Sequence, residues 1–312
     1  MRVLVTGGCG FIGSHLVGEL SKRAFEVEVF DNLTRTINWG ENGGVRLHRG
    51  DIRDQDALRG AMRGVDVVYH LAAQSNVLGA VHDMDYAFST NVVGTYNVLT
   101  CARDCGVRRL IFTSSREVYG EVSNLPVDEN APVLPKNVYG ATKAAGELLC
   151  RSIAGNSLQV TVLRLANVYG PGDRDRVIPL FVEQALRDQP LTIFGKDKVL
   201  DFVWIGDVIA ALVHTGFNTY FSEPINIGSG RGTTLPELAR QVLKATGSRS
   251  VIQQARPREV EVDRFVADIT RARHELSFDP APPLLHLQDV VEGLLERKAA
   301  SARVEPYTPL RS

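Results

Sequence analysis

Short apolar runs that end at glycine or aspartate alternate with longer stretches in which apolar residues recur every three or four positions. Residues 2–6, Arg-Val-Leu-Val-Thr, read as a short buried strand running straight into Gly7-Gly8-Cys9-Gly10-Phe11-Ile12-Gly13, with a helical stretch from 14 to 23 behind it. Further strands are predicted at 26–31, 46–52, 65–71 and 108–113. The run from Val65 to Leu71 is almost continuously apolar and rich in β-branched residues, as a parallel strand covered on both faces requires. Helices are predicted at 53–62, around Tyr139, and at 85–105, where Phe88, Val92, Tyr96, Leu99 and Ala102 fall at helical spacing and Gly106 supplies the stop. Strand alternating with helix predicts the α/β class with a parallel sheet. Beyond Gly170 the pattern loosens into a helix over 177–188 and a strand over 191–194, and 301–312 reads as an aperiodic tail.

Composition narrows the possible functions. The chain has 312 residues, enough for a sizeable core, with 44% hydrophobic and 23% charged residues and a formal net charge of -1. That balance gives no electrostatic reason to expect nucleic acid or an anionic membrane as partner. No apolar run approaches membrane-spanning length and the chain enters a strand at once, so a cytoplasmic protein is expected. The four cysteines contain no C-x-x-C pair and the seven histidines no H-E-x-x-H, so neither a disulfide framework nor a metal site is expected.

Strand, glycine turn, helix is the context of a dinucleotide fingerprint: the glycines let backbone N–H groups approach a pyrophosphate, and the helix N-terminus favours its negative charge. Asp31, at the end of the second strand, is placed to accept both adenosine ribose hydroxyls; a carboxylate there repels a 2′-phosphate, so NAD is preferred over NADP. Asp51 is placed to reach the adenine amino group or, equally, to cap the helix that follows. Ala72, Ala73 and Gln74 let a cofactor pass close to a strand end, and Asn91, inside a helix, is suited to bracing neighbouring backbone. Residues Thr113 to Gly120 leave a strand at the sheet edge where ligands bind in open parallel sheets. Tyr139 and Lys143, four apart, emerge from one helix face, and a neighbouring ammonium would lower the phenol's pKa towards a usable base.

Taken in order, Thr6–Gly13, Asp31-Asn-Leu33, Gly50-Asp-Ile52, Leu71–Gln74, Asn91–Thr95, Ser114-Ser115 with Val118-Tyr-Gly120, Tyr139-x-x-x-Lys143 and Arg164–Pro171 resemble the extended short-chain dehydrogenase/reductases that act on nucleotide sugars, typified by UDP-glucose 4-epimerase. The resemblance covers most of the first two thirds of the chain. It implies a Rossmann-type doubly wound domain over 1–168 with a returning segment near 200–223, a smaller α/β substrate domain from 169–199 and 224–300, and NAD as cofactor. It assigns the cofactor to Gly7, Gly10, Phe11, Ile12, Gly13, Asp31, Asn32, Asp51, Ile52, Leu71, Ala72, Ala73, Gln74, Asn91, Thr113, Tyr139 and Lys143. Tyr139 is implied as catalytic base, Lys143 as the group on the nicotinamide ribose, and Ser115 as partner of the reacting hydroxyl; Arg116, Asn167, Val177 and Arg256 join Ser115 in holding substrate. Hydride would leave C4 and return to the other face of a 4-keto sugar, regenerating NAD. A homodimer is implied, pairing the helix at 85–105 with the one at 138–153.

Two positions depart from the pattern. Leu200 stands where many relatives carry a diphosphate-binding arginine, leaving Arg174, Arg176, Arg231, Arg256 and Arg258 as candidates for that charge. Arg116-Glu117 stands where related 4,6-dehydratases carry Asp-Glu; Arg116 stays protonated and cannot be the proton donor a dehydratase needs. C4 epimerisation of a UDP-hexose is therefore ranked above dehydration or decarboxylation with Glu117 as catalytic base. Arg116 also raises the hypothesis of an acidic sugar, and a non-catalytic NAD-binding regulator is the remaining reading.

Overall fold

The computed structural model describes residues 1–23, 25–36, 44–218 and 220–303. In chain order the elements are β1 (Arg2–Thr6), α1 (Phe11–Ser21), β2 (Glu26–Asp31), β3 (Arg46–Arg49), α2 (Gln55–Met62), β4 (Val67–His70), α3 (Val77–His82), α4 (Met84–Phe88), a π-helical turn (Ser89–Val93), α5 (Gly94–Asp104), β5 (Arg109–Ser115), α6 (Val138–Ile153), β6 (Gln159–Leu165), β7 (Asn167–Tyr169), α7 (Val177–Ala185), β8 (Leu191–Phe194), β9 (Val199–Trp204), α8 (Ile205–Phe217), β10 (Ile225–Ile227), β11 (Gly232–Thr234), α9 (Leu235–Thr246), β12 (Ile252–Ala255), α10 (Thr270–Leu276) and α11 (Leu287–Arg303).

Seven strands form a parallel sheet in the order β10-β6-β5-β4-β1-β2-β3. From β1 the chain builds outward through β2 and β3 on one side, then returns to add β4, β5, β6 and β10 on the other. The reversal opens a crevice between β1 and β4 at the carboxyl ends of the strands, where Thr6 lies between Phe30 and His70. Alternation explains the unbroken apolar runs: Val3 and Val5 pack into one buried cluster with Leu16 and Leu212, while Leu4 packs into a second with Leu58 and Leu99. His70, fully buried, ties the crevice together by hydrogen bonds to the hydroxyls of Thr6 (2.8 Å) and Thr95 (3.0 Å), and burial pulls its pKa down to about 3, so it is neutral.

A third core joins α7, β8, β9, α9 and α11 through Phe181, Ile193, Phe202, Leu238 and Val291. Here β7-β9-β11 make a three-stranded sheet and β8-β12 a parallel pair. The return to the main sheet extends past the expected limit at 223, because β10 pairs with β6 and Phe265 to Phe278 pack into the first core.

Two predicted elements differ. The helix expected over 85–105 is interrupted by the π turn, whose extra residue swings Asn91 inward: its Oδ1 accepts from Gln74 N (2.8 Å) and its Nδ2 donates to Gln74 O (3.0 Å) and Thr142 Oγ1 (2.9 Å). Phe88 and Tyr96, placed by their spacing on the core face, are instead 56% and 46% exposed. The helix α11 continues to Arg303, past the expected start of the tail at 301; residues 304–312 lie outside the described residues.

Candidate active site

A cleft of about 1370 Å³ runs from the β1 glycine turn, across the carboxyl ends of β4, β5 and β6, to the smaller core. Its first half is built from backbone. Gly7 has φ of 73° and a Cβ there would lie 2.6 Å from Ala72 N; a Cβ at Gly13 would strike the Gly7 carbonyl. Gly10 opens towards the cleft and caps α1 without a side chain, so the first-turn N–H groups of this 11-residue helix have no side-chain acceptor. That is a cradle for a pyrophosphate. Asp31 is fixed by two backbone donors, Cys9 N to Oδ2 (3.0 Å) and Leu33 N to Oδ1 (2.8 Å), leaving lone pairs at the rim. Gly7, Gly10, Phe11, Ile12, Gly13, Asp31, Asn32, Ile52, Leu71, Ala72, Ala73, Gln74 and Thr113 all line this half.

Two expected cofactor residues do not line it. Asp51 is claimed by Arg53 (Nη2 to Oδ2, 2.8 Å) and Asn32 (Nδ2 to Oδ2, 3.1 Å), and the arginine holds its carboxyl down at about 2. Nor does it cap α2, a role taken by Asp54. Asn91 acts one layer back, fixing the Gln74 backbone.

The second half is built from side chains. β5 ends at Ser115, whose hydroxyl accepts from Glu117 N (3.2 Å) and acts on the nearby phenol of Tyr139 to lower its pKa. Tyr139 and Lys143 stand on α6, which Asn137 caps by accepting from Gly140 N (2.8 Å). The expected lowering of the phenol by the ammonium is not what the protein's own groups produce. Burial pushes Tyr139 up to about 12; Arg176, Ser115 and Arg116 oppose that and Glu117 adds to it. Lys143 donates to Thr113 O (2.8 Å) and lies over the Phe112 ring (4.7 Å), and burial brings its own pKa down to about 8.

Arg116, Glu117, Asn167 and Val177 also line this half. Arg116 and Glu117 form a buried pair (2.8 Å), and Asn137 Nδ2 donates to the other Glu117 oxygen (2.7 Å). Of the candidate diphosphate cations, Arg174, Arg176 and Arg258 face the cleft; Arg256 is exposed and, like Arg231, does not. Arg258 stacks on Phe194 (3.9 Å) and pairs with Glu261 (3.0 Å). Three contributors escaped the sequence reading. Lys198, two positions before Leu200, is buried against Glu261 (2.6 Å); strand alternation was the signal for it. Asp173 is buried beside Arg176 (3.0 Å), with burial raising its pKa to about 6. Arg164 pairs with Glu147 (2.7 Å), which in turn accepts from Ser114 Oγ, bracing the strand end from behind. Among the described residues no cluster of three or more His, Cys, Asp or Glu is arranged to hold a metal.

With a backbone cradle for a dinucleotide and a Ser-Tyr-Lys set facing it, comparison with known sequences decides the family: the NAD dependent epimerase/dehydratase family matches residues 3–228. The chain belongs to this family. A putative UDP-glucose 4-epimerase of Methanocaldococcus jannaschii is 38% identical over 280 residues, covering 86% of this chain and 90% of that protein. The solved UDP-glucose 4-epimerase of Thermus thermophilus, complexed with NAD, superposes with a TM-score of 0.88 at 33% identity over 95% and 99% of the two chains. The dTDP-glucose 4,6-dehydratase DesIV of Streptomyces venezuelae, solved with NAD and TYD, gives 0.90 at 32% over 96% and 98%. UDP-glucuronic acid decarboxylases match over a similar span, so membership alone does not choose the reaction. NAD is the family's cofactor, and the glycine cradle, Asp31 and the Ala72–Gln74 edge fit it. Among the described residues no helix is long and apolar enough to cross a membrane.

Proposed function

We propose that the protein epimerises a nucleotide sugar at C4, with Ser115, Tyr139 and Lys143 as catalytic residues. The observation that carries this reading is the state of Glu117. Both its carboxylate oxygens are engaged, one by Arg116 and one by Asn137, and it is 5% exposed. A base for the C5 proton needs a free lone pair at the substrate. Each Glu117 oxygen is held in place by a partner rather than turned towards a substrate, and the residue beside it is a permanent cation instead of the proton donor a dehydratase needs. Ser115 and Tyr139, by contrast, both line the cleft, and the serine acts to lower the phenol's pKa against the effect of burial.

Bound NAD supplies a hydride acceptor and donor. Tyr139 takes the C4 hydroxyl proton and gives it back after the keto sugar has turned; Ser115 holds that oxygen in both orientations. Lys143, anchored on Thr113 O, would hold the nicotinamide ribose of bound NAD. Arg258, held flat on Phe194, and Lys198 supply the cations for the diphosphate that Leu200 does not.

The neighbours' UDP-sugar and dTDP-sugar chemistry supports a nucleoside-diphosphate ligand. A homodimer is supported by Phe88, Val93, Tyr96 and Leu148, exposed large apolar residues on α4, the π turn, α5 and α6. Sedimentation at micromolar concentration tests it; a monomer refutes it. Four free cysteines suit a cytoplasmic setting. The activity is tested by proton NMR of NAD-loaded protein with UDP-sugars in heavy water. A C4 epimer without deuterium at C5 is expected; deuterium at C5 with loss of water or carbon dioxide replaces this reading with the dehydratase or decarboxylase one.

A further inference from the structure

Arg116 follows Ser115 directly, faces the same cleft and is 8% exposed. Its guanidinium is half used. Nη2 donates to Glu117 Oε1 (2.8 Å) and lies 3.4 Å from Asn167 Oδ1, while Nη1 is buried without any acceptor. Among the described residues it is the one orphaned guanidinium nitrogen that belongs to a cleft-lining residue. A buried N–H without a partner is costly, so a ligand oxygen that completes it is strongly favoured.

With Ser115 at the oxygen on C4, Arg116, the next residue and lining the same cleft, stands beside the ring positions that flank C4, of which C5 carries the C6 substituent. A planar guanidinium with a free nitrogen matches a carboxylate better than a neutral hydroxymethyl group. Resting on the epimerase reading above, we propose that the sugar is a hexuronate and that Arg116 Nη1 binds its C6 carboxylate.

The clamp has a second effect. The 4-keto uronate is a β-keto acid: breaking its C5–C6 bond would release carbon dioxide and pass the bonding electron pair to the C4 carbonyl as an enolate. Arg116 holds the negative charge on the carboxylate, opposing its movement towards C4, so the carbon stays in the product.

The test compares UDP-glucuronate with UDP-glucose, which differ only at C6, on NAD-loaded wild-type protein. Calorimetry gives binding and NMR gives turnover. UDP-glucuronate should be favoured about 100-fold in kcat/KM. Arg116→Met should lose most of that preference, with UDP-glucuronate turnover falling about tenfold further than UDP-glucose turnover, and should divert part of the uronate to UDP-pentose and carbon dioxide. Equal or better turnover of UDP-glucose by the wild type overturns the proposal and leaves the epimerase reading standing, with no variant needed. An equal loss on both sugars in Arg116→Met makes Arg116 a brace for Glu117 and overturns it too. If neither sugar turns over, the epimerase reading falls; tighter, Arg116-dependent binding of UDP-glucuronate then still supports carboxylate recognition, and equal binding removes it.

Discussion

The two halves of the cleft are made of different material. At the cofactor end the contacts come from backbone: a glycine turn, a helix N-terminus and a carboxylate pinned by two N–H groups. At the sugar end they come from long charged side chains that follow β5, stand on α6, precede α7 and follow β12: Arg116, Arg176 and Arg258 are each paired with a carboxylate, and Lys143 is anchored on the Thr113 carbonyl. Backbone contacts recognise what every ligand of the cofactor site shares. Side-chain pairs can be exchanged singly, which is where specificity can change without disturbing the fold.

Breaking the catalytic junction between the halves should give the largest effect. Tyr139→Phe removes the exchangeable proton and should lower turnover by about 10³-fold, with NAD still bound; unchanged steady-state turnover would sink the mechanism. On the cofactor side, Gly13→Ala drives a methyl group into the Gly7 carbonyl, with nothing flexible to yield. A loss of about 2–3 kcal/mol and release of NAD during gel filtration are expected.

Lys143→Met separates activity from stability. The folded-state pKa of Lys143 is lowered to about 8, so below that pH the fold carries a buried ammonium that the unfolded chain keeps hydrated. Above it the folded state has released its proton while the unfolded chain stays protonated up to about 10.5, so wild-type stability from this group rises between those pH values. The cofactor-stripped variant should therefore melt a few degrees higher than wild type at pH 7, lose that advantage towards pH 10, and be nearly inactive. A lower melting temperature at pH 7 would show that the Thr113 hydrogen bond outweighs desolvation. The smallest effect is expected from Asn137→Ala, which removes the α6 cap and one Glu117 partner: about 1–2 kcal/mol by denaturant unfolding, with turnover reduced less than tenfold.

The same contrast governs what could be read in the chain. Strands, glycine turn and the Tyr139–Lys143 face depend on residues adjacent or four apart, so local pattern carried them. The π turn was hidden because Phe88, Val92, Tyr96 and Leu99 keep the spacing of an uninterrupted helix while two of them face outward. Asp51 and Asp54 are equivalent by composition, and only the fold shows which one caps α2. Arg258 was offset by two residues from the expected Arg256, and its position depends on stacking with Phe194, 64 residues earlier in the chain. Glu117 was legible as a residue but not as an occupied one, since its second partner comes from the start of another helix.

The placement of β10 bears on how the chain is made. Until Ile225–Ile227 has been synthesised, β6 is an open edge of the main sheet, carrying buried Val160, Leu163 and Leu165. At a bacterial-to-eukaryotic pace of about 5–20 residues per second, the roughly 60 residues between them take about 3–12 s to emerge. During that interval the nascent protein presents a sticky strand to its surroundings, and α7, β8 and β9 of the smaller unit are translated before the larger one can close, while α9, β12 and α11 follow after it.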